Sequence, residues 1–522
     1  PIDCELSSWS SWGPCDPCTY QRFRSRRVER FGQFGGKPCL EALGDTQTCE
    51  TSEACPVEPE EDCGTDFQCQ SVGRCIKQRL VCNVDNDCGD FSDEDACEPD
   101  ARSPCRTDDI LVSEVGRTAG QGSNILGMLP MANPFDNGFF NGLCEKVRDG
   151  NTRTYYRKPW NVAVLNYDVS LTDKTFTSLY YHDRSKMFQE IYVENQNHFS
   201  ADLSLKYTPT DGIKDGVKGS VKFYYGKNKT LSSILQSFTE RVSLIHLKVL
   251  MKIFYKQYNL YSNQTFLHIK GKIQLGRFQM RSRDVRLSDS FLNDLKSLPA
   301  EYDKGEYFKF LEIYGTHYAV SGTVGGKYEL VYVLDNYAMS QIGVSVEDVK
   351  KCLGYHLGVS VAYHKFDADL NTGGENCEKI HVRKESKYGS EYTDDAVIDD
   401  VFSLVEGGQI DFSVKIEEML LRGSKMVDVE DYVEWAKSLV DAPVVIQQRP
   451  SPIHTLVPVK MRDAYLKKQN LESAIEDYIT EYSVCKCEPC KNGGTVVLVD
   501  GACTCLCSSY FKGIACQIPK ST

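Results

Sequence analysis

The 522-residue chain has no apolar run approaching the roughly 18 to 20 residues that cross a bilayer as a helix, so the chain as synthesised is expected to be water-soluble. A nucleophile elbow, a zinc-binding H-E-x-x-H helix and a phosphate-cradling glycine loop are all missing, which removes the sequence signs of hydrolase and nucleotide chemistry. Positive charge is in the minority. With 60 Lys and Arg against 73 Asp and Glu, the net charge of −13 argues against nucleic acid as a partner. No initiator methionine or apolar leader precedes Pro1-Ile2-Asp3-Cys4, so a signal peptide already removed, or trimming at that end, is expected.

Cysteine, by contrast, is plentiful. The 23 cysteines lie mainly in dense clusters at the two ends, the usage of an oxidising compartment where thin modules are held by disulfides, so a secreted protein is expected. The sequons at Asn228 and Asn263 fit that route as N-glycosylation sites. The length exceeds what one hydrophobic core organises, which implies a large domain flanked by small modules.

Residues 1–57 hold six cysteines around "WSSWGPC" and "RFRSRR". Trp9 and Trp12 stand three apart and Arg22, Arg24 and Arg26 alternate, which suits a module too thin for an ordinary core that stacks guanidinium planes on indole faces. This resembles a thrombospondin type 1 repeat, and the resemblance marks Trp9 and Trp12 as C-mannosylation sites.

Residues 62–98 hold six more cysteines and the carboxylate-rich "CNVDNDCGDFSDEDAC", Cys82–Cys97. Those charges repel unless a cation sits among them, and hard oxygens on a tight loop favour calcium. The segment resembles an LDL-receptor class A repeat. The resemblance implies that side chains of Asn83, Asp87, Asp93 and Glu94 and main-chain carbonyls of Leu80 and Asp85 hold the ion. Asn83 stands where the family usually has aspartate, so somewhat lower affinity is expected.

Residues 485–518 carry the spacing C-x2-C-x12-C-x-C-x-C-x8-C from Cys487 to Cys516, with "NGGT" at Asn492–Thr495, and resemble an EGF-like module without the calcium-binding variant's acidic residue. Cys485 falls outside that frame. Because 23 is odd, at least one thiol is free or intermolecular, and Cys485 is the candidate: inert, or able to cross-link neighbours in an assembly.

Residues 104–484 have mass for their own core. Strand-like alternation in Tyr328–Leu334 mixes with helical periods at Val429, Tyr432, Val433, Ala436, Leu439 and Val440 and at Leu471, Ile475, Tyr478, Ile479 and Tyr482, which implies an α+β domain. Within it stands Tyr314-Gly315-Thr316-His317-Tyr318, followed after six residues by Gly325-Gly326. This resembles the signature of the membrane attack complex/perforin domain, and "KGEYFKFLEIYGTHY" extends the match. The resemblance implies a bent antiparallel sheet with flanking helical clusters, His317 in a structural hydrogen-bonding role, and glycines where a Cβ would block backbone approach. The expected fold class is therefore multidomain: an α+β perforin-like domain plus small disulfide-rich modules.

From Arg241 to Arg283 there is no Asp or Glu, while Lys and Arg number nine. Lys248, Lys252 and Lys256 would stripe a largely apolar helix there, the composition of a lipid interface or of a core helix with snorkelling lysines. Val217, Val221 and Phe223, then Leu267, Ile269, Ile273 and Leu275, alternate with polar residues. Alternation suits strands facing lipid on one side and a wet lumen on the other, but a half-buried sheet gives the same pattern. The family resemblance favours membrane-facing strands: two helical clusters, at about residues 210–276 and 357–408, would unfurl into amphipathic hairpins. The second contains an expected acidic helix, Thr393–Gly408, with Gly407 and Gly408 as its hinge and Asp394, Asp395, Asp399 and Asp400 complementing the basic stripe.

The module order resembles the terminal complement components, some of which carry further modules after this point. That resemblance implies a non-enzymatic plasma protein, recruited by the fifth to eighth components on a target membrane, which joins copies of itself into a homo-oligomeric lytic barrel in the bilayer. A nonlytic adhesion or receptor ectodomain would use the same small modules.

Overall fold

The computed structural model describes residues 1–58, 61–71, 73–99, 102–106, 109–124, 131–150, 153–180, 205–208, 222–225, 264–352, 355–360, 365–370, 397–408, 435–482, 486–499, 501–506 and 511–519. At its centre lies an antiparallel sheet. β1 (Val162–Asn166) and β2 (Ser170–Tyr180) run in succession along one edge of β3 (Gln264–Met280). β3 pairs along nearly all its length with β4 (His317–Asp335), whose far edge is shared by β5 (Ile398–Glu406) and β6 (Val444–Pro452). The side chains explain the register. On β3 the buried positions are odd through Thr265, Leu267, Ile273 and Leu275 and even at Phe278 and Met280. The phase changes at a bulge between Gln274 and Gly276, where one extra residue turns the apolar set to the other parity.

Among the described residues, the longest helices packed into the core are α1 (Asp289–Ser297), α2 (Lys304–Tyr314) and α3 (Ala464–Glu481). Ser288 and Asp303 start α1 and α2 by accepting hydrogen bonds from the Phe291 and Glu306 amides, satisfying donors that a helix leaves unpaired at its first turn. Their apolar faces bury Phe291, Leu295, Tyr307, Phe308, Leu311, Leu471, Ala474 and Ile475 in one cluster with the strand residues. Phe308 meets Tyr478 of α3 edge-on at 5.0 Å.

The flanking modules are built into this body. Arg22, Arg24 and Arg26 interleave with Trp9 and Trp12, with guanidinium carbons 4.2–5.1 Å from the ring centres. Val28, Phe31 and Leu43 of the same module join the main core, as do Leu498 and Cys503 from the other end of the chain. Gly32–Gln33 pairs in parallel with Ala502–Cys503, and Gln33 exchanges two 2.8 Å hydrogen bonds with the Glu488 main chain. Buried Glu481, ending α3, accepts from the Val28 amide at 2.6 Å, Lys304 Nζ at 2.9 Å and Lys486 Nζ at 3.2 Å. One carboxylate thus ties the N-terminal module, the start of α2 and the approach to the C-terminal module. The second module keeps a separate small core of Cys69, Ile76, Leu80 and Cys88, completed by Phe139 and Trp160 of the central domain.

The helical expectations for residues 210–276 and 357–408 are overturned where the chain is described: Lys222–Tyr225, Tyr355–Ser360 and Lys365–Leu370 are strands. The stretch read as an acidic helix is strand β5 from Ile398 to Glu406, so Gly407 and Gly408 end a strand and are no helix hinge. Its Val, Ile and Phe content suits a strand, and the open edge of β4 from Lys327 to Leu334 supplies the backbone partners that override the helical reading.

Candidate functional site

The signature residues form the junction between α2 and β4. α2 ends because Gly315 takes φ +87°, and its amide closes back on Leu311 O at 2.8 Å. A Cβ there would stand 2.5 Å from Ser123 O. Thr316 is fully buried, its amide donating to Ser123 O at 3.1 Å and its carbonyl accepting from the Ile453 amide at 2.9 Å. His317 Nδ1 shares a 2.8 Å hydrogen bond with the Thr316 hydroxyl. Burial, with a smaller contribution from the charge of His454, pushes the imidazole down to about 3. A neutral ring so hard to protonate is a poor general base at neutral pH, and the arrangement stitches α2, β4 and the segments at Ser123 and Ile453 together. Tyr318 continues the joint edge-on to Phe135 at 5.3 Å.

Eight residues along β4, the sheet changes partners. Gly325 still pairs with Val444 of β6, whereas Lys327 pairs with Glu406 of β5. Gly325 is demanded by approach, since a Cβ there would lie 1.9 Å from Ile273 O; one on Gly326 would press the Leu439 side chain, 2.4 Å from its Cδ2. The chain leaves β5 through Gly407 and Gly408, at φ +85° and +83°. Fully buried Trp435 closes over this corner, its Nε1 donating to Gly407 O at 2.9 Å, while the Gly408 amide donates to Ala442 O at 2.8 Å. The sequence reading named all four glycines and Leu439 but missed Trp435. Its signal was faint: one of four tryptophans, next to the helical period at Ala436 and Leu439.

At the other end of β5, the strand order fixes where two long connections leave the sheet. β2 ends where β3 begins, with Tyr180 opposite Thr265, and β4 ends where β5 begins, with Leu334 opposite Ile398. Gln264 faces Asp335, so residues 181–263 and 336–397 both connect neighbouring antiparallel strands at the same end of the sheet. Each joins hydrogen-bonded neighbours, and the second carries the helices Asn336–Ile342 and Val346–Cys352 and the paired strands Tyr355–Ser360 and Lys365–Leu370.

The acidic loop forms a second constellation. Carboxylate oxygens of Asp87, Asp93 and Glu94 come within 4.8 Å of one another. Asp93 accepts from the amides of Asp87 and Cys88, and Glu94 from those of Asn83 and Val84, so each is held with lone pairs to spare. Asp87 is 1 % exposed, and its carboxylate makes no well-formed hydrogen bond within the protein; the buried Asn83 side chain beside it favours the charged form without offsetting burial. Burial pushes the Asp87 carboxyl up to about 7. A carboxylate sealed away with so little polar support fits a cation held among oxygens, and the donor set suits calcium.

Leu267, Ile273 and Leu275, expected as membrane-facing, are buried in the core on β3; Ile269 lies on the same strand, and Phe223 lies on the strand Lys222–Tyr225 paired with Leu205–Thr208. Asp399 and Asp400 lie on β5. Residues 222–225, 264–276, 357–360, 365–370 and 398–406, within the two intervals expected as helical clusters, are already strands. Val217, Val221, Asn228, Asn263, the basic stripe at Lys248, Lys252 and Lys256, Asp394, Asp395 and Cys485 lie outside the described residues.

Three family models match the sequence: MAC/Perforin domain over residues 113–488, low-density lipoprotein receptor domain class A over 61–97, and thrombospondin type 1 domain over 7–55. The chain is 40 % identical to complement component C9 of Oncorhynchus mykiss over 529 aligned residues, covering 100 % of this chain and 87 % of that protein. It is 33 % identical to the complement component C8 alpha chain of Oryctolagus cuniculus, covering 99 % and 84 % respectively. Among solved structures, GNIP1Aa from Chromobacterium piscinae superposes with a TM-score of 0.34 at 14 % identity, over 71 % of this chain and 57 % of that one.

Proposed function

Because the chain belongs to the membrane attack complex/perforin family, we propose that it is a pore-forming terminal complement component whose copies assemble on a target membrane into a lytic β-barrel. The observation that carries the reading is topological: two long connections leave one end of one antiparallel sheet, each between hydrogen-bonded neighbours. Unfurled as hairpins, they would extend β2, β3, β4 and β5 as four contiguous strands. A strand of roughly ten residues tilted about 45° spans the hydrocarbon layer, so the connections have ample length. An open sheet in lipid leaves its edge groups unpaired at several kcal/mol each, so four strands need neighbouring copies to close the barrel.

No step of this function requires covalent chemistry, and the neutral, buried His317 serves as architecture. The protein acts outside the cell, carried there as a soluble chain and recruited by the other terminal components, the fifth to eighth, already on the membrane. Trp9 and Trp12 are proposed C-mannosylation sites, Asn228 and Asn263 proposed glycan sites, and residues 485–518 a proposed EGF-like module. Calcium, held by Asn83, Asp87, Asp93 and Glu94 with carbonyls of Leu80 and Asp85, would neutralise the acidic loop and fix its fold. Electron microscopy of vesicles bearing the membrane-bound terminal complement intermediate tests the assembly: closed rings after this chain is added are expected, and bound but unpolymerised copies would overturn it.

A further inference from the structure

The acidic loop faces two ways. Asp85, whose carbonyl is a proposed calcium ligand, accepts with both carboxylate oxygens from the Arg157 guanidinium of the central domain at 2.8 Å each. Arg286 Nη2 donates to the main-chain carbonyl of Asp87, whose carboxylate is a proposed calcium ligand, at 2.5 Å. Both arginines are nearly sealed, with side-chain exposures of 6 % and 11 %, and both lie on aromatic rings of the central domain: Arg157 at 3.7 Å from the Phe140 centre, Arg286 at 4.5 Å from that of Phe139. Phe139 and Trp160 complete the module's own core, and a Cβ on Gly142 would lie 2.8 Å from Arg79 Nη1 and Leu80 Cδ2. Loop and domain therefore share one packed seam.

Resting on the calcium reading above, we propose that calcium binding and docking of the second module onto the central domain are thermodynamically coupled through Arg157 and Arg286. The same two loop residues serve both partners with different groups. Fixing Asp85 and Asp87 from the arginine side arranges the oxygens that the ion needs, and fixing them from the ion side holds the partners of two buried guanidiniums. Removing the ion leaves the carboxylates of Asp87, Asp93 and Glu94 repelling one another at close range, and the loop relaxes away from both arginines. The arginines add positive charge near a cation. Arg157 spends its charge on the Asp85 carboxylate, which is no proposed ligand, and Arg286 lies 3.9 Å from Asp136, so that opposition is partly offset.

The seam reaches the sheet. The Arg286 amide donates to Asn161 Oδ1, the Asn161 side chain donates to Arg286 O at 2.8 Å, and Arg281 just past β3 stacks on Trp160 at 3.7 Å. The calcium loop thus braces the end of β3 opposite the two long connections, a fixed base while the other end rearranges.

Calcium titration by calorimetry and hydrogen exchange of the full chain test the coupling. Arg157→Gln and Asp85→Asn should each weaken calcium by about 5-fold or more, the lower end of ordinary coupling between sites. Calcium should slow amide exchange at residues 157–162 and 284–288 in the unaltered chain and not in Asp93→Asn. Asp85→Asn keeps the proposed ligand carbonyl and decides the matter if Arg157→Gln fails to fold. Unchanged affinity in Asp85→Asn together with calcium-independent exchange would overturn the coupling while leaving the calcium site intact. Absence of calcium binding to the unaltered chain would overturn the site reading and the coupling with it.

Discussion

His317 shows how much a single residue can be read from its type and how much needs its surroundings. The histidine was identifiable in sequence as the centre of a motif, and the lack of any nucleophile pattern pointed to architecture. Only the fold supplies its burial, its bond to Thr316 and the nearby charge of His454. With its value lowered from 6.5 to about 3, the folded ring stays neutral while the unfolded ring protonates. Its stabilising contribution is therefore complete above pH 6.5 and lost progressively as pH falls toward about 3, at up to about 1.4 kcal/mol per pH unit. Urea unfolding across that range should show the slope, and His317→Gln should remove its share. The glycines give a steric counterpart: Gly325→Ala drives a Cβ against the Ile273 carbonyl, and a loss of at least about 1–3 kcal/mol is expected from urea midpoints. Trp435→Phe keeps an aromatic ring but leaves Gly407 O without its indole donor, for an expected loss of about 1–3 kcal/mol.

At the scale of elements, legibility followed the distance over which the deciding contact acts. α3 was legible because its apolar residues recur along one stretch, and β3 because its alternation does. β5 was misread as a helix because its content fits both periods, and the choice is made by the vacant edge of β4. Glu481 was invisible as a hub because its partner amide, on Val28, lies 453 positions away. Burial alone would raise its carboxyl, but the Val28 amide and Lys304 outweigh that and leave it below the ordinary 4.5. Its contribution is thus present above about pH 4.5 and lost as the pH falls through the depressed folded value. Glu481→Gln should unfold at lower urea at neutral pH, and the gap to the unaltered chain should narrow below pH 4.5. A gap that does not change with pH would contradict the charge-based account.

For the whole molecule, the main features legible in sequence were the cysteine frames, the arginine ladder and the signature, and each carried a resemblance to a module. How the modules join was not legible, since the seam at Arg157 and Arg286 and the pairing of Gly32–Gln33 with Ala502–Cys503 unite residues far apart in the chain. The assembled picture is a braced body whose sheet has two long connections at one end, the form the proposed barrel subunit needs before it opens. The most direct measurement is dye release from liposomes bearing the complement intermediate assembled from serum that lacks only the ninth component. Release that requires this chain and rises with its concentration is the predicted result; intact liposomes in the presence of demonstrably folded, membrane-recruited chain would contradict the pore-forming account.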